Sequence, residues 1–206
     1  MNIRYFFYFL TSLLYVSTAL NTYGFDDEFF NIKLVERYGM SAISFTQAED
    51  VHPPLSYLIN AFLYEMFGSW VAVRVISAMT LCVALFYVGE SMFKKYGHRA
   101  AILTFLLLAS NPALLLWGTS IRWYAYFLPV LLWLCITPDR QGVLYWAKLA
   151  FGLIILGYTG YISFLVAPAI ILLYWLESDM RFESKLKYLI ASLVFAITIY
   201  APQLLV

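Results

Sequence analysis

Three acids stand in a row at Asp26, Asp27 and Glu28, and further on the chain reads Glu49-Asp50-Val51-His52-Pro53-Pro54-Leu55. The first group falls in a polar stretch, residues 22–54, and the second closes it at Pro54, with long apolar runs on either side. A carboxylate at the edge of a bilayer is partly desolvated, which raises its pKa and fits it to take a hydroxyl proton as a general base. Capping accounts for part of this: Asp26 or Asp27 suits the N-cap of a helix that runs on through Asn31–Tyr38, and Gly39 suits its C′ stop. Three consecutive acids beside a membrane exceed what a cap requires. Three acids also form a start for a hard divalent cation, although adjacent carboxylates alone make no coordination cage. Pro53 and Pro54 fix the chain as it enters the next apolar run, so His52 is held at the boundary. A lone histidine is more often structural, yet an imidazole there can also hydrogen-bond a lipid phosphate.

Two arginines lie in or beside apolar runs: Arg74 in Trp70-Val71-Ala72-Val73-Arg74-Val75, and Arg122 in Ser120-Ile121-Arg122-Trp123-Tyr124. Placing arginine in hydrocarbon costs about 3 kcal/mol or more, so such a residue has a partner or a purpose. Three readings stand open. The side chains snorkel to an interface; or Glu65 and Glu90 pair with them, leaving all four structural; or each guanidinium grips phosphate oxygens with paired hydrogen bonds.

The elements that must position these groups are apolar helices. Of 206 residues 63% are hydrophobic and 12% charged, and the mean hydropathy is +0.79, whereas a soluble domain carries about 25% charged residues. A membrane crossing takes about 20 apolar residues, fewer where neighbours shield the helix. That ruler gives about eight segments, at 3–22, 55–67, 70–93, 100–117, 121–136, 143–157, 161–176 and 187–206. The fold class is therefore all-α, a polytopic transmembrane bundle whose first extracytoplasmic loop, 22–54, carries short interfacial helices. Phe30, Leu34 and Tyr38 would form the apolar strip of one, resting on the membrane surface. Gly157-Tyr158-Thr159-Gly160 divides a run too long for one crossing, and Asn111-Pro112 interrupts another. The first segment reads as a transmembrane helix rather than a signal peptide, for want of a small-x-small cleavage site. The whole chain, 1–206, reads as one module, and its apolar end at Val206 has the look of truncation.

Charge placement poses a conflict. Basic connections favour the cytoplasm, which assigns Lys94, Lys95 and Arg99 to the inside. With Arg4 inside, crossings at 3–22, 55–67 and 70–93 would put that group outside. Either 55–67 does not fully cross or the rule fails here. Cys82 and Cys135 fall in apolar stretches and read as small core residues. A net charge of +1 argues against a nucleic-acid partner.

Taken in order, these pieces resemble the amino-terminal half of a GT-C glycosyltransferase, the membrane superfamily that includes protein O-mannosyltransferases and lipid A aminoarabinose transferases. The matching residues are Asp27-Glu28 after the first segment, His52-Pro53-Pro54-Leu55 opening the second, Arg74 with Ser77 in the third, and Ser120, Arg122 and Tyr124 after an Asn-Pro. The resemblance covers residues 3 to 136. It implies a multi-pass protein of the cell membrane that moves a sugar from a polyprenyl-phosphate carrier to a lipid, glycan or protein acceptor, with inversion. Asp27 maps onto the base of such enzymes, with Glu28 beside it as the second catalytic residue. His52, Arg74 and Arg122 would hold the donor phosphate, and Asp26 and Tyr124 would line the substrate. No metal ligand set is implied, so a divalent cation stays open. Such enzymes run to more than twice this length, and Ile121 stands where relatives often carry an acid.

Two other classes compete. A lipid transporter or flippase would line its path with Arg74 and Arg122, but it calls for internal repeats or paired broken helices, and the sequence has no convincing repeat. A non-catalytic, lipid-binding membrane subunit derived from the same fold would suit the short length.

Overall fold

The computed structural model describes residues 3–21, 26–41, 54–136, 142–160 and 162–204. Among them there is no strand. The helices are α1 (Ile3–Asn21), α2 (Asp26–Tyr38), α3 (Leu55–Phe67), α4 (Trp70–Ala109), α5 (Pro112–Trp117), α6 (Tyr124–Cys135), α7 (Gly142–Thr159), α8 (Ser163–Glu177) and α9 (Phe182–Leu204), with a 3₁₀ turn, Gly39–Ser41, closing α2. The expected interruptions are in place. Asn111 caps α5 through its Oδ1, which accepts from the Ala113 amide at 2.9 Å, with Pro112 in the first turn. α7 stops at Thr159, just before Gly160. Three helices, Ile3–Asn21, Trp70–Ala109 and Gly142–Thr159, are long and apolar enough to cross a membrane.

α4 is two arms rather than one rod. Gly97 has φ 81° and ψ −175°, a region that only glycine enters without strain. The ring of Tyr8 lies 4.8 Å from Phe86 and 4.6 Å from Phe105. In a straight helix those two positions would stand about 28 Å apart at 1.5 Å per residue. The arm 98–109 therefore folds back along 70–96, as the separate segments 70–93 and 100–117 lead one to expect.

Contacts fix the direction of each helix. Arg4, at the start of α1, lies 3.4 Å from Glu90 and 3.9 Å over the Phe93 ring, while Tyr15 and Ala19 share a core with Ala78 and Leu81. α1 is thus antiparallel to the arm 70–96. α6 runs parallel to that arm: Tyr126 reaches Ser77, and the Tyr87 hydroxyl donates to the Ile136 carbonyl at 3.4 Å. α7 returns, since Lys148 Nζ donates to the Ile136 carbonyl at 2.6 Å and Gly160 abuts the Trp123 ring. α8 comes back to bring Tyr174 beside Tyr145, and α9 leaves from there, with Lys185 Nζ on the Trp175 carbonyl. A second core, built from Phe127, Leu134, Trp146, Leu149, Leu156, Ile170 and Tyr174, joins α6, α7 and α8.

This arrangement separates the charged groups. Arg4 and the group Lys94, Lys95 and Arg99 lie at one end of the bundle, and α2 lies at the other, beside Trp70 and Arg74. α3 is about 20 Å long. It ends at the turn into α4, and near its start Tyr57 packs on Leu34 of α2. Both its ends therefore adjoin α2, and 55–67 stays at the α2 end of the bundle.

The interfacial strip is corrected. Leu34 and Tyr38 pack against Tyr57, while Phe29 and Phe30 are exposed. The helix turns Leu34 and Tyr38 inward because Glu28 and Asn31, on the same face at helical spacing, have buried polar partners that fix its rotation.

Candidate functional site

α2 is tied to the bundle at both ends. At its C-terminal end Glu36 Oε1 accepts from the Trp70 indole at 2.8 Å, and that indole stacks on Tyr64 with centroids 4.2 Å apart. Gly39, at φ 53°, takes the left-handed conformation that ends the helix as expected and sits close under Glu65. At the N-terminal end Glu28, only 1% exposed, accepts two strong hydrogen bonds. Its Oε2 receives Arg74 Nη2 at 2.8 Å, and its Oε1 receives the backbone amide of Ile121 at 2.6 Å. One turn on, Asn31 Nδ2 donates to the Ile121 carbonyl at 3.1 Å.

Ile121 lies in the irregular stretch between α5 and α6, where no helical ladder serves its backbone. Two side chains of α2 satisfy its N–H and its C=O instead, as buried main-chain groups require. The Ile121 side chain is buried with Leu63 and Val73 in the hydrophobic core. Arg122 follows at once and is 6% exposed. Tyr124 stacks on Trp117 at 5.3 Å and leans on Trp123 at 4.4 Å.

Deeper in the bundle a second polar chain crosses from α3 to α6. The Tyr126 hydroxyl donates to Asn60 Oδ1 at 2.5 Å, with Ser77 also in reach of it, and Ser77 Oγ donates to the Val73 carbonyl at 3.1 Å. Arg74 and Ser77 stand three apart on one face of α4. The clamp and this chain together make a polar region enclosed by apolar packing.

Three of the residues singled out from sequence meet here: Glu28, Arg74 and, through its neighbour Ile121, Arg122. Asp26 and Asp27 are the first two residues of α2, inside the helix rather than capping it from outside, and their side chains are not among those described. His52 lies outside the described residues. Tyr124 belongs to an aromatic stack.

The surroundings of Glu28 differ from those of a carboxylate at a bilayer edge: both its oxygens are engaged, Oε1 by the Ile121 amide and Oε2 by the Arg74 guanidinium. Among the described residues no group of three His, Cys, Asp or Glu stands together to hold a metal. Arg74 pairs with Glu28, not with Glu65 or Glu90; Glu90 pairs with Arg4.

Asn31, Asn60 and Tyr126 were not legible as site residues. For Asn31 a signal existed: it stands three positions after Glu28, on the same helical face. Compared with known proteins, the chain matches no family model, no curated protein and no solved structure.

Proposed function

We propose that the protein is a membrane glycosyltransferase of the GT-C kind, which moves a sugar from a polyprenyl-phosphate donor to a hydroxyl acceptor at the end of the bundle where α2 sits. The observation that carries this reading is the clamp. Glu28 lies 46 positions from Arg74 and 93 from Ile121, yet the three meet at one carboxylate, with Arg122 the next residue along. These are the places where the resemblance puts the acid pair and the two phosphate-binding arginines.

Orientation supports it too. Lys94, Lys95, Arg99 and Arg4 share one end, which the charge rule assigns to the cytoplasm. The acid-rich α2 end then faces outward, where a lipid-borne donor awaits an acceptor. We read α1, the two arms of α4, α6, α7, α8 and α9 as crossings of the cell membrane and α3 as re-entrant. Irregular backbone such as 118–123 is tolerated at membrane depth only where protein encloses it, as here.

In the reaction the acceptor oxygen attacks the anomeric carbon from the face opposite the phosphate. The bond from that carbon to the phosphate oxygen breaks, and the polyprenyl phosphate leaves with its electron pair. Asp27, one residue before the clamped Glu28, takes the acceptor proton, while Arg122 and His52 stabilise the departing phosphate. Glu28 and Arg74 build the site rather than react.

The test uses native membranes, which carry the acceptor, with radiolabelled polyprenyl-phosphate sugars. Asp27→Asn is expected to lower transfer at least about a hundredfold at unchanged protein level. An unchanged rate overturns the reading. Binding of polyprenyl phosphate with no turnover of any donor also overturns it, in favour of a non-catalytic lipid-binding subunit.

A further inference from the structure

Arg122 projects from a segment with no secondary structure of its own, so something else must fix its direction. The backbone of Ile121 is held from α2 at both of its polar groups: Glu28 takes its N–H and Asn31 its C=O. Glu28 has a further task, pairing with Arg74. Asn31 has none among the described residues. Its Oδ1 makes no hydrogen bond, and the whole side chain is 1% exposed. A buried amide that uses only one of its two ends is unusual, because the idle end bears the cost of desolvation with no return. An apolar residue of equal bulk would fill the same space without that cost, so the retained Nδ2 contact to Ile121 is the feature that accounts for an amide here.

We propose that Asn31 is a positioning residue: by holding the Ile121 carbonyl while Glu28 holds its amide, it fixes the peptide from which Arg122 projects and thereby sets how tightly the chain holds a lipid-linked phosphate. This rests on the reading of Arg122 as a ligand of the donor phosphate. Asn31 itself touches no substrate. With its donor gone, the peptide between Ile121 and Arg122 loses this contact with α2 and can turn while the Ile121 N–H stays on Glu28. The guanidinium at the next residue then loses its aim, although its charge remains. A paired hydrogen bond from a fixed fork loses much of its strength when the fork swings.

The experiment compares the full chain, in lipid nanodiscs, for binding of a polyprenyl phosphate and of the matching polyprenol, which has the same tail and no phosphate. The ratio of the two affinities isolates the phosphate contact from the tail. The wild type is expected to prefer the phosphate. Asn31→Leu keeps the bulk and removes the donor; it is expected to cut the ratio about five- to tenfold with the polyprenol affinity unchanged. Arg122→Gln should cut it further, and Asn31→Leu should add nothing on top of Arg122→Gln, since both act through one guanidinium. If Asn31→Leu does not accumulate, Asn31→Ser, which keeps a donor on a shorter arm, is expected to give an intermediate ratio. A wild-type preference that survives loss of the Asn31 donor, or two effects that simply add, overturns the positioning role and leaves the function proposed above intact. A wild type with no preference for the phosphate overturns both.

Discussion

Glu28 and Arg74 face each other at 2.8 Å, with the carboxylate almost wholly buried and the arginine side chain 12% exposed. Neither charge would be stable alone at that depth. Together with the Ile121 amide on the second carboxylate oxygen, the pair fastens a helix of the polar loop to a helix of the bundle and to the stretch that carries Arg122.

Breaking one side of this pair should cost more than removing both. Arg74→Met takes the guanidinium from a buried carboxylate and is expected to destabilise the protein by about 3 kcal/mol or more, while Glu28→Gln with Arg74→Met should recover much of that loss. Thermal unfolding of the purified variants in detergent measures it. A double variant as damaged as the two singles summed would mean that the residues act independently.

The deeper chain gives a second, smaller test. Tyr126→Phe removes the donor to Asn60 Oδ1 and leaves an amide at zero exposure with an unmet acceptor. The expected loss is about 1–2 kcal/mol, and adding Asn60→Leu to Tyr126→Phe should restore part of it, because two matched apolar groups bear no desolvation cost. If Asn60→Leu on this background only deepens the loss, the hydrogen bond is not what holds this crossing.

Tight helix contacts make a third. A methyl group on Gly152 would run into the side chain of Leu134 across the α6–α7 interface. Gly152→Ala should therefore cost about 1–3 kcal/mol through overpacking, and Leu134→Val should relieve some of it. The comparison is by unfolding midpoint. No recovery in the double variant would show that the helices shift apart rather than press on that one side chain.

Hydropathy and two breaker signals made the helices readable from sequence. The bounds of α1 and α3, the stop at Asn111-Pro112 and the turn before Gly160 all follow from apolar length and from residues that cannot continue a helix. The break between 70–93 and 100–117 follows from the basic group Lys94, Lys95 and Arg99, whereas nothing in the run singles out Gly97 as the residue that takes a φ of 81°. At the site, residue type drew attention to Glu28, Arg74 and Arg122, since charge in an apolar run demands a partner. Which partner it finds depends on tertiary geometry, and so Glu65 and Glu90 stood as equal candidates. The rotation of α2 is hidden in the sequence for a related reason. Its apolar strip at Phe30, Leu34 and Tyr38 was visible, whereas the buried hydrogen bonds of Glu28 and Asn31 that override the strip involve a backbone ninety positions away.

Gly97 also supports a prediction of its own. The backbone there lies in a region closed to residues with a Cβ, so Gly97→Ala is expected to destabilise the fold by about 1–3 kcal/mol even though open space surrounds the position. Unfolding measurements read the cost, and a variant as stable as the wild type would mean that the reversal at residue 97 is not retained.

The placement of charge at the two ends yields a test of the whole arrangement. Arg4 lies against Glu90 and Phe93, beside the connection that carries Lys94, Lys95 and Arg99, while Glu36 bonds to Trp70 at the opposite end of the same arm. In a chain with Cys82 and Cys135 replaced by Ala, single cysteines at Lys95 and Arg181 should both be blocked only by a reagent that has access to the cytoplasmic side, and a cysteine at Arg37 only from the other side. Membrane-impermeant maleimide applied to intact cells and to inverted vesicles distinguishes the two. The basic residues then lie where the membrane's insertion machinery retains positive charge, and α2 lies where a lipid-borne sugar could meet its acceptor. Labelling of Lys95 and Arg37 from one side would make α3 a full crossing, and the two ends of the bundle could no longer be assigned as they are here.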